Sequence, residues 1–344
     1  MGRTRAPHEE RGSLDAARAG DQDAFRRLVE PHRAALHAHA YRMLGSLHDA
    51  DDALQEALLR SWRWLGSFDG RSAFRTWLYR ITTNTCLDAI ARRPKRVLPI
   101  DYPSGDREDQ WERELPDVAW LEPYPDEALA VDEGRASPEA RYEQREAVEL
   151  AFVAAVQHLP PRQRAVLILR DVLAFSAREV ADALGSSSAS VNSALQRARK
   201  TVDERIPERS QLATARSIGD ERIRDVVERL GDAFERGDAH AILDLLTDDA
   251  TFSMPPYAGV RRGREAIANS WLMPGGPPPR LRSVPTRANA QAAAAVYILD
   301  GDRSRYVPLA LDVLTLRDGS IAAVTAFRTP DIFARFGLPE EIAA

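Results

Sequence analysis

From Leu14 to Ala91 apolar residues recur every three to four positions, the spacing of helices that bury one face. In "DADDALQEALLRSWRWL", Leu54, Leu58, Trp62 and Leu65 fall on one stripe. "SAFRTWLYRITTNTCLDAI" does the same with Phe74, Leu78, Ile81 and Ile90, and Ser72 is its expected N-cap. Pro94 and Pro99 end this block. Between Leu98 and Pro138 no period holds and Pro, Asp and Glu dominate, which predicts an extended linker. Within it, "AWLEPYPDEAL" is apolar enough to dock on a folded surface. Helical spacing returns from Glu139 to Ile206.

Near Arg222 the pattern changes. "RIRDVVERLGDAFERGDAHAILDLL" predicts two helices with a Gly-Asp turn. The runs "ATFSM", "AAAAVYIL", "VPLALDVLTL" and "IAAVTAF" predict strands, the last two joined by an "RDGS" hairpin. The expected divisions are therefore an all-α segment over 14–97, an acidic linker over 98–138, a second all-α segment over 139–207, and an α+β segment over 218–344.

The second helical segment carries a helix-turn-helix pattern between Ser176 and Val202. Ser176 and Glu179 form a capping box, and Gly185 permits the turn. Val191, Leu195, Ala198 and Val202 make the buried stripe of the second helix. Ser188, Asn192, Ser193 and Gln196 occupy the positions where a recognition helix meets base edges. Arg197, Arg199 and Lys200 extend toward phosphates. A helical hairpin with a solvated basic face carries the same pattern.

The net charge of -5 excludes a general polycation that coats nucleic acid. The charge is uneven, however. Residues 21–96 hold 13 basic and 9 acidic side chains, residues 97–150 hold 5 and 16, and residues 151–206 hold 8 and 5. Two mildly basic segments flank an acidic one, which points to separate surfaces with separate partners. Cys86 is the sole cysteine, so no internal disulfide and no thiolate metal cluster can form, and a reducing cytoplasm is expected. No apolar run approaches the length of a membrane span, and no metal or cofactor is expected.

Three blocks in order, "RMLGSLHDADDALQEALLRSWRWL", "FDGRSAFRTWLYRITTNTCLDAIARR" and "LPPRQRAVLILRDVLAFSAREVADALGSSSASVNSALQRARK", resemble an extracytoplasmic-function (ECF) sigma factor, the promoter-specificity subunit of bacterial RNA polymerase. The resemblance implies sigma domain 2 in the first helical segment and sigma domain 4 in the second. Asp52, Gln55 and Glu56 share a polar face opposite the Leu54 stripe, and the resemblance implies docking of that face on core RNA polymerase. Arg71 and Ser72 in a loop, with Arg75, Tyr79, Arg80 and Asn84 on the next helix, suit single-stranded promoter DNA through phosphate contact and base stacking. Trp77 is expected in the core. The resemblance also implies that the acidic linker threads the exit channel for nascent RNA.

The segment from Arg222 to Ala344 resembles the SnoaL-like cone of polyketide cyclases and ketosteroid isomerases. The opening helical pair, "DDATFSMPP", "GREAIANSW" and the closing strands carry that resemblance. Phe252, Met254, Tyr257, Trp271, Tyr297 and Phe327 are expected to line the cone or its core, where a small ligand could sit. Asp312 is the candidate carboxylate inside it, while Asp248 and Asp249 read as turn residues and His240 as part of a helical turn. Fold analogy alone does not license activity, and no enzyme is expected. The implied role is regulatory: the tail contacts domains 2 and 4, with Phe333 and Phe336 of "FRTPDIFARFGLP" as anchors. The competing reading is a helix-turn-helix regulator with a ligand-binding or vestigial enzymatic tail.

Overall fold

Helix ends in the first 95 residues are set by short polar caps. Asp21 accepts from the backbone N–H of Asp23 and Ala24, starting the helix Gln22–Leu44 (α2), which follows Pro7–Arg18 (α1). Gly45, at a φ of 71°, ends α2 in the left-handed region where a side chain is costly. Ser46 caps the next helix, Leu47–Trp64 (α3), through the N–H of Asp49. The fourth helix, Phe74–Ile90 (α4), starts without a side-chain cap: Ala73 holds the position expected of Ser72, which stays in the exposed loop. Trp77 is buried in the core, as its spacing predicts.

The computed structural model describes residues 7–101, 114–115, 118–129, 144–271, 279–301 and 304–344. It forms two units, residues 1–95 with 128–207, and residues 96–127 with 208–344.

The first unit is completed by Leu150–Gln157 (α5), Pro161–Leu167 (α6), a widened helical turn over Ile168–Val172, Ala177–Leu184 (α7) and Ser188–Asp203 (α8). The capping box of Ser176 and Glu179 is formed, and Gly185 turns at a φ of 58°. Val191, Leu195, Ala198 and Val202 are buried.

The second unit begins earlier than 218. Gln211–Ile218 (α9) packs into it, with Gln211 bonded in both directions to the backbone of Leu316 at 3.1 and 2.7 Å. Asp220–Arg236 (α10) and Ala239–Leu245 (α11) are the expected helical pair, joined at Gly237 and capped by Asp238. Arg264–Trp271 (α12) follows later.

The sheet runs in the order β2-β1-β6-β5-β4-β3, with β7 pairing to β5. Its strands are β1 Leu246–Ser253, β2 Val260–Arg262, β3 Leu281–Ala288, β4 Gln291–Asp300, β5 Arg305–Arg317, β6 Ser320–Phe327 and β7 Ile342–Ala343. Asp318 and Gly319 both have positive φ, the conformation of the tight hairpin that "RDGS" predicts. Asp248 and Asp249 are a correction: they lie inside β1, where Asp249 pairs with Arg317 and Asp248 with Arg264. The side chain of Trp271 lies outside the described residues.

The linker has more structure than its composition predicts. Val97 pairs with Trp120, with Leu121 N–H donating to Val97 at 2.9 Å. Leu115 N–H donates to Pro256 of the α+β unit at 3.2 Å. Tyr124 is fully buried and exchanges two hydrogen bonds with Asn289, at 2.8 and 2.9 Å. Asp126 accepts from Ala290 N–H at 2.7 Å and from Arg287 at 2.9 Å. The stretch "AWLEPYPDEAL" thus closes over the β3–β4 turn. Asn289 and Ala290 stand there at φ of 56° and 57°, a conformation costing an ordinary residue about 1–2 kcal/mol. Hydrogen bonds from the linker hold that turn in place.

Asp312 is buried on β5, between Ala294 of β4 and Ala326 of β6 in register. It shares its strand face with the core residues Ala310 and Leu314, and its Oδ1 has no hydrogen-bond partner. Burial raises its pKa to about 7. The folded state therefore holds a proton that the unfolded chain gives up near pH 4. Between these two values the unfolded state binds fewer protons than the folded one, so this group's contribution to stability falls as pH rises, by up to about 1.4 kcal/mol per pH unit, until it levels off above pH 7. Urea melts of the full chain should show the second unit more stable at pH 5 than at pH 8 by this contribution. Asp312→Asn should reduce that difference.

Candidate polymerase and nucleic-acid interfaces

Asp52, Gln55 and Glu56 lie on the outer side of α3, opposite buried Leu54. Asp52 is well exposed and stands 3.5 Å from Arg93. Glu56 accepts from Arg60 at 2.7 Å, and Arg60 also donates to Asp88 of α4 at 2.7 Å. Hydrogen bonds to Asp88 and Glu56 raise the pKa of Arg60. Leu59, 45% exposed, extends the same side of the helix, while Trp64, 51% exposed, lies at the helix end on another side. The hydrophobic stripe concealed them, since Leu58 satisfies the period and Leu59 reads as its neighbour. An acidic stripe running into an exposed leucine suits a partner helix with a basic and an apolar face.

The second group separates into two parts. Arg71 and Ser72 are exposed in the loop before α4, where Asp69 accepts from the Arg71 backbone at 3.0 Å. Arg80 and Asn84 are exposed on α4. Tyr79 is buried, and Arg75 is half-buried over it. The Arg75 guanidinium lies 4.8 Å from the ring centres of both Tyr79 and Phe175. Phe175 and Glu179 come from the start of the helix-turn-helix, and Glu179 accepts from Thr76 of α4 at 3.3 Å. Burial pushes the Glu179 pKa up, but hydrogen bonds from Ser176 and Thr76 and the charge of Arg75 outweigh it and hold it below its ordinary value. Arg75 and Tyr79 are thus covered by the segment that also starts α7.

His39, which the sequence pattern does not single out, supports Tyr79 from below. Its ring packs edge-on at 5.3 Å and its Nε2 meets Thr83 Oγ1 at 2.9 Å. Burial, with Arg42 and Arg75 nearby, lowers its pKa to about 3, so it is neutral.

On α8 the side chains of Ser188, Asn192, Ser193, Gln196, Arg197, Arg199 and Lys200 are all exposed. Arg199 differs from its neighbours. It donates to both oxygens of Asp171 at 2.7 and 2.8 Å, and this bond raises its pKa. Its guanidinium is engaged in a planar, two-bonded pair, whereas the sequence places it toward phosphate.

Phe333 and Phe336 are buried within the second unit. Phe333 packs edge-on against Tyr297 at 5.3 Å, and the Tyr297 hydroxyl donates to Pro339 at 2.9 Å. Both aromatic rings belong to the tail's own packing, because the closing segment Pro330–Phe336 folds back on β4 and β5. Phe252 and Phe327 are core residues.

Family models match three parts of the chain: Sigma-70 region 2 over residues 28–96, Sigma-70 region 4 over 149–202, and a SnoaL-like domain over 227–324. The ECF RNA polymerase sigma factor SigG of Mycobacterium tuberculosis is 43% identical over 337 residues, covering 94% of this chain and 86% of that protein. The ECF RNA polymerase sigma factor SigJ of Mycobacterium tuberculosis is 28% identical over 321 residues, covering 90% and 94%. The crystal structure of SigJ is similar with a TM-score of 0.52 at 24% identity, covering 90% of this chain and 97% of that one, which shows a shared fold.

The Asp171–Arg199 pair gives a direct test of the basic face. Asp171→Asn should release Arg199 toward phosphate. Binding to duplex DNA should then tighten, and the slope of log affinity against log salt should steepen by up to about one unit. Replacing Arg197 and Lys200 with Ala should flatten the slope, while Asn192→Ala should change base preference. Fluorescence anisotropy at several salt concentrations measures all three.

Proposed function

This chain belongs to the ECF RNA polymerase sigma factors, with a SnoaL-like domain at its C-terminal end, and from that premise we propose how its surfaces divide the work. The outer face of α3 binds core RNA polymerase through Asp52, Gln55 and Glu56, with Leu59 as its apolar continuation. The loop at Arg71 and Ser72, with Arg75, Tyr79, Arg80 and Asn84, takes the melted promoter strand. The recognition helix α8 takes the upstream duplex, using Asn192, Ser193 and Gln196 for bases and Arg197 and Lys200 for phosphates. The partner polymerase places the protein in the cytoplasm.

The observation that carries this reading furthest is the covering of Arg75 and Tyr79 by Phe175. The two residue types best suited to stack on and neutralise single-stranded DNA are held under the DNA-binding element of the other sigma domain. We read this as a closed resting form that separates before a promoter is melted. The SnoaL-like tail is a control domain, and its grip on the linker is the means. A catalytic role for Asp312 has little support, because the carboxyl stands alone among apolar side chains. A small ligand inside the cone, on Asp312, remains the second reading of the tail, supported by its unpartnered Oδ1.

Two outcomes follow. Asp52→Arg with Glu56→Arg should weaken pull-down by core polymerase at least about tenfold while circular dichroism stays unchanged, since these side chains carry no core contact. Unchanged core affinity would sink the α3 assignment. Deleting everything after Ser210 should leave Leu121 and Tyr124 without the surface that buries them. Hydrogen exchange should then rise across residues 118–127, and promoter-specific transcription by the reconstituted holoenzyme should change. Unaltered exchange and unaltered transcription would make the tail an independent module.

A further inference from the structure

The second unit contains a groove of about 690 Å³ that no part of the sigma-factor reading uses. Its floor is apolar, made by Ile223 and Val227 of α10, Ala292 of β4 and the ring of Phe336. The docked linker lines it at Pro125, Asp126 and Glu127, α10 adds Asp220, Arg224 and Glu228, and β3 adds Pro285, Thr286 and Arg287. The groove is therefore built by the linker together with three stretches of the tail, at 220–228, 285–292 and Phe336, so departure of the linker removes part of its lining.

The rim carries an excess of negative charge. Asp126 and Arg287 neutralise each other at 2.9 Å. Beyond that pair, Glu127, Asp220 and Glu228 face a single cation, Arg224. An apolar floor with an aromatic ring and a surplus of carboxylates is the chemistry that holds an organic cation. The ring and floor take the hydrocarbon, and the carboxylates take the ammonium.

We propose that this groove binds a small organic amine, a protonated ammonium on an apolar body, and that the ligand clamps the linker to the SnoaL-like tail. A ligand seated there touches linker and tail at once. It loses part of its site when the linker leaves, so by linkage it favours the docked form. The proposal goes beyond the sigma-factor reading and stands apart from it, because binding is measured without polymerase or DNA.

The test uses the full-length protein and three probes of similar size: phenethylamine, phenethyl alcohol and 3-phenylpropionate. Isothermal titration calorimetry should show saturable binding of phenethylamine, at least about tenfold tighter than the acid, with the alcohol between them. The exposed-residue variant Asp220→Asn with Glu228→Gln should lose most of the preference for the amine while keeping its melting temperature. Phenethylamine should slow hydrogen exchange across residues 118–127 in the wild type and not in the variant. A lack of saturable amine binding, equal affinity for amine and acid, or binding that the double variant leaves intact would each overturn the amine site. Tight amine binding without slower linker exchange would overturn the clamp.

Discussion

The packing of the two sigma domains is held by a seam of two buried cations, Arg164 and Arg42. Arg164 at the start of α6 is 4% exposed and donates to Met43 at the carbonyl end of α2, and to the side chain and backbone of Gln157. Burial lowers its pKa to about 10, so it keeps its charge at neutral pH. The end of α2 presents carbonyls without partners inside the helix, and a cation answers both the missing bonds and the helix dipole. Arg42 reciprocates from α2, donating to Gln144 at 2.8 Å and Ala147 at 3.2 Å, while Gln157 donates back to Arg42 at 3.2 Å. Hydrogen bonds to a charged group contribute roughly 1.5–3 kcal/mol each, well above the exposed ion pairs elsewhere. With that seam in place Phe175 lies over Tyr79 and Arg75.

The linker is governed by a different balance. Its described part contributes Leu121 and Tyr124 as fully buried side chains and supplies the bonds that hold the Asn289–Ala290 turn. Each bond is worth about 1 kcal/mol, and the turn itself is strained by a similar amount. Release of the linker then exposes two large apolar side chains and leaves a strained turn unsupported. The covalent path tightens this coupling. The chain passes between the units at residues 95–96, 127–128 and 207–208, so linker and tail meet at a high effective concentration. A linker held on the tail is unavailable to any other partner, and the competition is reciprocal.

Much of this was legible in the sequence, and the exceptions have physical causes. The helix-turn-helix was readable because Ser176, Glu179 and Gly185 each have a single local role, and the structure shows all three in it. Strand β3 escaped because Pro285 and flanking arginines break its pattern. It is the edge strand of the main path, where a missing N–H is tolerated. Ser72 failed as a cap because the helix begins one residue later. The docking of "AWLEPYPDEAL" could be foreseen from its apolar content, but its partner could not, because Tyr124 meets Asn289 across 165 positions of chain and Asp126 meets Ala290 across 164. The residues of α3 and α8 were legible as exposed faces. The fates of Tyr79, Arg199, Phe333 and Phe336 were not, since each depends on a neighbour distant in sequence, namely Phe175, Asp171 or Tyr297.

These magnitudes order the events that would bare the groups proposed to bind DNA. The Asp171–Arg199 pair is half exposed and worth at most about 1 kcal/mol, so phosphate from an approaching duplex can displace Asp171 without disturbing the fold. The Arg75 stack between two rings contributes about 0.5–2 kcal/mol, and it is tied to Phe175 and to the Glu179–Thr76 bond. Neither can rival the Arg164 seam. The basic face of α8 is therefore exposed in the closed form, whereas Tyr79 is uncovered only after the two sigma domains part, the order that the proposed division of duplex and single-stranded DNA requires. On the proposed assignment the energy for that parting comes from a partner that prefers them separate, and the acidic and apolar face of α3 stays exposed at Asp52 and Leu59 while the seam is closed.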